Sequence, residues 1–257
     1  MDIVYFSPTG NTAHLAQHLA RTLQSRQIPA NLHPLEWTEP GDLDPDGHLV
    51  LMYAVHAFNP PRTVIHFVRK LIPDEARTVS ILSVGGAETW MNAGASLSVR
   101  RILQKKGFLI QQDELLAMPP TILIGLPDHQ AQEMISKAED QILHVASRIQ
   151  SGQRTAIDVP LKSRIVTFLG RLEGLGARLY GLELRASDAC TACRLCVEEC
   201  PERNIRMDDA ARPAFGLRCL MCMRCIYNCP EDAIAPRFSK FVPLKDGYQI
   251  DRLLHDE

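Results

Sequence analysis

No cysteine precedes Cys190, although the chain contains eight. A disulfide framework spreads its cysteines along the fold it staples, so confinement to one short stretch favours a local ligand-bearing module. The opening residues, MDIVYFSPTGNT, have no basic leader followed by an apolar run and a small-residue cleavage site, which sets cytoplasmic residence as the expectation. No uninterrupted apolar stretch approaches the roughly 18 residues a membrane span requires. Basic tracts and basic-aromatic platforms are also missing, and the formal net charge is -2; nucleic acid is therefore not expected as the main partner. Two nucleotide-binding fingerprints are absent, the G-x4-G-K-[ST] loop and the G-x-G-x-x-G turn. What remains, in 257 residues that are 46% hydrophobic and 23% charged, has the composition of a globular protein with one ordinary domain and a small appended one.

The first half alternates short apolar runs with helical periodicity. DIVYF (Asp2 to Phe6), HLVLMYAV (His48 to Val55) and TVSILSV (Thr78 to Val84) read as buried strands, NLHPLEW as a weaker one near an edge, and FLIQQDELL as a strand with a polar centre. Helical rhythm runs through Leu15, Leu19 and Leu23, from about Pro61 to Leu71, up to Gly107, and from His129 to Ile149. Five strands separated by helices predict a mainly parallel sheet covered on both faces, with the functional loops at the carboxyl ends of its strands. Residues 1–150 are expected to form this unit. Residues 151–185 mix apolar and regularly placed basic residues and are expected to be an amphipathic bridge packed between modules, whose basic face is either solvated or a partner or membrane-surface site. Residues 186–257 hold the cysteines and a tail.

CTACRLCVEECP begins at Cys190, and CLMCMRCIYNCP begins 29 residues later. Each is a C-x2-C-x2-C-x3-C-P run, the pattern of bacterial iron–sulfur sites, in which three close thiolates wrap one side of a cubane. In the two-cluster arrangement the fourth cysteine serves the opposite centre. That assigns Cys190, Cys193, Cys196 and Cys229 to one [4Fe-4S] cluster, and Cys219, Cys222, Cys225 and Cys200 to the other. Glu202 and Ile205 recur as Glu231 and Ile234 at the same offset, and a buried isoleucine beside each centre would exclude water. Structural zinc is the metal alternative. The region from Ser187 to Pro236 resembles the bacterial-type double-cluster ferredoxins at all eight ligand positions, and the resemblance implies a small α+β unit with pseudo-twofold symmetry that transfers electrons.

SPTGNT follows the first strand and precedes a helix. Its hydroxyls, Gly10 and the helix start suit an anion such as a terminal phosphate, and by themselves leave a nucleotide, a flavin phosphate and a plain helix cap open. Ser7, Thr9, Gly10, Asn11 and Thr12 match the phosphate loop of the flavodoxins, which residues 1–150 resemble. The resemblance implies a doubly wound sheet of order 2-1-3-4-5, FMN held by these five residues, and two loops beside its ring system: His56, Ala57, Phe58 and Asn59 after the third strand, and the Gly85 to Trp90 loop, with Gly85, Gly86 and Trp90, after the fourth. The strongly acidic flavin-loop surface of many flavodoxins is missing.

Together the two halves are similar to flavodoxin–ferredoxin fusion proteins of the EFR family type. The resemblance implies electron transfer between two [4Fe-4S] clusters, FMN and an external redox protein or small-molecule acceptor. Two other readings stay open: a terminal reductase in which substrate meets FMN and His56 relays a proton, and a non-redox interaction protein whose metal is structural.

Overall fold

The computed structural model of the chain describes residues 1–86 and 89–254. The front half runs β1 (Asp2–Phe6), α1 (Asn11–Ser25), β2 (Asn31–Pro34), β3 (Leu49–Ala54), α2 (Arg62–Lys70), β4 (Thr78–Gly85), α3 (Thr89–Asn92), α4 (Leu97–Lys105), β5 (Leu109–Ala117) and α5 (Asp128–Ser151). The strands form one sheet of order β2-β1-β3-β4-β5, with every neighbouring pair parallel. This is the flavodoxin-like doubly wound arrangement, whose strand order reverses beside β1 and leaves a crevice at the carboxyl ends there.

The burial of β3 explains its unbroken apolar sequence. Leu49, Leu51 and Tyr53 face one core with Val64 and Phe67 of α2 and Val99 and Leu103 of α4. Val50 and Met52 face the other, with Leu15, Leu19 and Leu23 of α1 and Ile135, Ile142 and Ile149 of α5. A strand covered on both faces has no polar side to alternate with. The polar centre of β5 is accommodated by partners: the buried Asp113 accepts from Ser96 Oγ at 2.9 Å and pairs with Arg100. The buried Gln112 meets Ser80 Oγ at 3.4 Å.

The bridge is two helices, α6 (Leu161–Gly170) and α7 (Glu173–Glu183). The rear half follows as β6 (Leu184–Ala186), α8 (Leu195–Glu198), β7 (Ile205–Met207), β8 (Pro213–Phe215), α9 (Arg224–Tyr227), β9 (Ile234–Pro236) and α10 (Ile250–Leu254). β6 to β7 and β8 to β9 are the same unit displaced by 29 residues, element for element. The left-handed residues repeat in step, Ala192, Arg194 and Arg203 against Met221, Met223 and Asp232. The halves interlock, since β6 pairs antiparallel with β9 and β7 with β8. Among the described residues no helix is long and apolar enough to cross a membrane.

Candidate functional site

The eight cysteines gather around two cavities. Cys190, Cys193 and Cys196 line the first, together with Cys229, Met207, Pro213 and Ile234. Cys219, Cys222 and Cys225 line the second, together with Cys200, Tyr180, Ile205 and Phe215. The fourth cysteine of each run thus lies at the cavity of the other run. In each run, left-handed residues on either side of the second cysteine bend the backbone around the cavity, and a short helix carries the third cysteine. Backbone N–H groups of Asn204 and Ala233 point at the sulfurs of Cys200 and Cys229, both at 3.3 Å, and Met221 N–H points at Cys219 Sγ at 3.3 Å. Such bonds stabilise thiolate charge.

Four cysteines line each cavity, and four thiolates are the donor set an iron–sulfur cubane takes. Burial pushes the Cys222 thiol up to about 12 and the Cys225 thiol well above its usual range; iron displaces those protons when it binds sulfur. Ile205 and Ile234 are both buried, one beside each cavity.

The two cavities differ in their surroundings. Every residue lining the first lies between Cys190 and Ile234. The second is roofed by α7 through Tyr180, and its cysteine loop abuts the front sheet's crevice. His56 Nδ1 donates to Leu220 O at 3.2 Å. Arg62 reaches Arg218 O and pairs with Glu202 at 3.0 Å. Arg224 donates to Ser7 O at 2.7 Å, Pro8 O at 3.3 Å and Glu199 O at 3.2 Å, and pairs with Glu36 at 2.5 Å. Glu202 and Glu231, equivalent in the repeat, part company here: the first is buried at this junction and the second is exposed.

At the crevice, the SPTGNT turn closes onto α1. Ser7 Oγ accepts from Ala13 N at 2.9 Å, and Gly10 has φ +96°. Asn11 donates to Pro119 O at 2.9 Å and accepts from Tyr248 at 2.5 Å. Thr9 is half-buried. Thr12 is fully buried, and its hydroxyl has no partner among the described residues. A phosphate oxygen is the kind of group that satisfies an orphaned hydroxyl at a helix start, and Tyr248 and Ile250 pack on the turn at Asn11 and Gly10.

The two further loops lie at the same carboxyl edge, and α6 bridges them. His56 and Asn59 exchange backbone bonds of 2.9 Å around Ala57 and Phe58, which have φ of 41° and 62°. Asn59 Nδ2 donates to Ala57 O and to Thr167 O of α6, each at 2.8 Å. A Cβ on Gly170 would stand 2.0 Å from Ala57 O, so only glycine allows that approach. Gly85 and Gly86 pack against Asn92 and Pro120. Trp90 O accepts from Ser163 Oγ at 2.6 Å, and Lys162 Nζ sits 4.5 Å from the Trp90 ring centroid. Positions 87 and 88 of this loop lie outside the described residues. Burial pushes the His56 imidazole down to about 4, so at neutral pH it is uncharged and its Nδ1 proton is committed to Leu220.

Arg62, Arg224, Tyr248 and Ile250 are site residues that sequence reasoning missed. One signal was available for Arg224: within two matched runs it stands where the first has Leu195, and a charge present in only one copy marks a surface with its own partner.

Residues 189–234 match the model of a 4Fe-4S dicluster domain. No curated protein matches the chain. Solved structures similar to the front half include flavodoxin 2 from Bacillus cereus, at 16% identity and TM-score 0.44 over 57% of this chain and 98% of that one. The Streptococcus pneumonia TIGR4 flavodoxin has 16% identity and TM-score 0.43 over 58% and 97%. The Fusobacterium nucleatum flavodoxin bound to flavin mononucleotide has 10% identity and TM-score 0.41 over 60% and 98%.

Proposed function

We propose that the chain is an electron-transfer protein carrying two [4Fe-4S] clusters and FMN, which exchanges electrons with an external redox protein. The observation that carries this reading is the crossed lining of two cavities by eight cysteines, with the second cavity set against the crevice of a flavodoxin-like sheet. Cys190, Cys193, Cys196 and Cys229 would hold one cluster, and Cys219, Cys222, Cys225 and Cys200 the other. Ser7, Thr9, Gly10, Asn11 and Thr12 would hold the FMN phosphate, and the His56–Asn59 turn and the loop of Gly85, Gly86 and Trp90 would border its ring. When bound, such clusters pass single electrons and the flavin stores two.

The chain's own residues supply position and environment. Ile205, Phe215 and Tyr180 keep water from the second cavity. N–H groups directed at Cys200, Cys219 and Cys229 favour thiolate charge. Arg224 and His56 fix the second cysteine loop to the turn after β1 and the turn after β3. Units of 1–150, 151–185 and 186–257 serve as flavin-binding front, bridge and cluster-bearing rear. Eight cysteines confined to one ligand-bearing stretch suit a reducing, cytoplasmic compartment.

A carrier is favoured over a terminal reductase because α6 bridges both ring loops and the His56 Nδ1 proton is held by Leu220. Anaerobic purification with metal, sulfide and flavin analysis tests the reading. About eight irons and eight acid-labile sulfides per chain, with FMN released by acid, are expected; stoichiometric zinc without sulfide would refute it.

A further inference from the structure

The bridge helices carry their bulky side chains on the outside. From Leu161 to Leu182 a large apolar residue returns at alternate steps of four and three, through Ile165, Phe168, Leu172, Leu175 and Leu179. All seven are exposed, between 41% for Leu182 and 73% for Leu161. The opposite side holds small residues that pack inward: Ser163 and Thr167 against the Gly94 turn, Gly170 against Ala57, and Gly181 against Cys219. A helix that only linked two units would turn its leucines toward them.

The stripe runs the length of both helices. Arg171 N–H bonds Phe168 O, Leu172 N–H bonds Leu169 O and Leu175 N–H bonds Leu172 O, at 3.2, 3.0 and 3.0 Å. These tighter 3₁₀ turns overwind the junction and offset the lag of an α-helix behind a seven-residue repeat. The apolar face therefore stays in line over about 35 Å. More apolar surface adjoins its end: Phe238 N–H and Ser239 N–H bond Glu183 of α7, and Phe238 and Phe241 are 73% and 72% exposed.

Charge selects the occupant. Arg164, Arg171 and Arg178 recur every seven residues along one flank of the stripe, and residues 161–185 hold five basic and two acidic side chains in a chain whose net charge is -2. Pairing with a second copy is disfavoured. In the antiparallel sense the arginine row opposes itself, and in the parallel sense it meets Leu169, Gly176 and Glu183. A single partner helix would cover the stripe but leave Phe238 and Phe241 in water. A planar, anionic, apolar-cored surface covers all of these and matches the arginines.

We propose that α6, α7 and the Phe238–Phe241 segment dock the protein onto an anionic lipid surface, as an interfacial element that does not span the bilayer. Tyr180 and Gly181 on the inner side of α7 touch the second cavity, so docking brings that cavity to about one helix diameter from the headgroups.

The test uses the full chain with its iron loaded, mixed anaerobically with vesicles of phosphatidylcholine alone or of phosphatidylcholine with phosphatidylglycerol, and followed by flotation. Retention on the anionic vesicles only is expected. R171Q/R178Q should bind about 30-fold more weakly, and F168E/L175E should not bind, with visible cluster absorbance unchanged in both. Failure of the intact protein to bind anionic vesicles, or binding indifferent to R171Q/R178Q, would overturn the proposal. A concentration-dependent dimer that F168E/L175E dissolves would also overturn it and assign the stripe to a second copy.

Discussion

Paired cysteine substitutions separate crossed from uncrossed ligation. Cys190 and Cys229 face one cavity, and Cys200 faces the other with Cys219, Cys222 and Cys225. A cubane needs four thiolates, so removing any ligand disables its own cluster and no other. In C190S/C229S both losses fall on the first cavity, and about four irons per chain should remain out of about eight. In C190S/C200S each cavity loses one ligand, and iron should fall toward zero. Each double variant deletes two thiols from the same short segment, so general fragility of the rear unit affects both alike. Iron and sulfide analysis on anaerobically prepared protein reads the difference. If C190S/C200S keeps about half its iron and C190S/C229S keeps none, each run would serve its own cluster and the crossed account would be wrong.

Thr12→Val removes the orphaned hydroxyl and should weaken FMN retention by roughly 5- to 20-fold, about 1–2 kcal/mol, with iron content unchanged; equal flavin affinity by fluorescence titration would remove Thr12 from the site. Arg224→Gln strands the buried Glu36 carboxylate and should cost about 3 kcal/mol, seen as faster proteolysis between the units, while the added Glu36→Gln should recover part of it. His48 is held down to about 4 by burial, with Thr78 and Ser80 bonded to its ring. The unfolded chain therefore binds the extra proton first, and the contribution of His48 to stability falls by roughly 3 kcal/mol as pH drops from about 6.5 to 4. His48→Gln should flatten that decline in denaturant titrations followed by tryptophan fluorescence, and an unchanged acid slope would show that His48 is not the source.

The front sheet was legible because burial on both faces leaves short apolar runs bounded by turn residues: Asp2 to Phe6 and Thr78 to Val84 appear as strands almost residue for residue. The last strand was faint because its polar centre is matched by residues far along the chain, Asp113 by Ser96 and Arg100. The repeat of 29 residues announced a rear unit of two like halves but not its elements, β6, α8 and β7 recurring as β8, α9 and β9. Which way the bridge faces was not readable. Its apolar stripe and its small-residue stripe share the same seven-residue rhythm, and period alone does not say which one meets the protein. Nor was the junction. Tyr248 reaches Asn11, and Ile250 stands 2.6 Å from the place of a Gly10 Cβ, across more than 230 residues with no local pattern to announce the contact.

The central claim, that this chain houses two cubanes beside a flavin, is tested most directly by an anaerobic reductive titration of the intact protein, read by optical and electron paramagnetic resonance spectroscopy on one sample. Uptake of roughly four electrons per chain is expected, two by flavin and one by each cluster, with cluster and flavin signals both present. Uptake of no electrons by a folded sample that holds zinc and lacks acid-labile sulfide would contradict it.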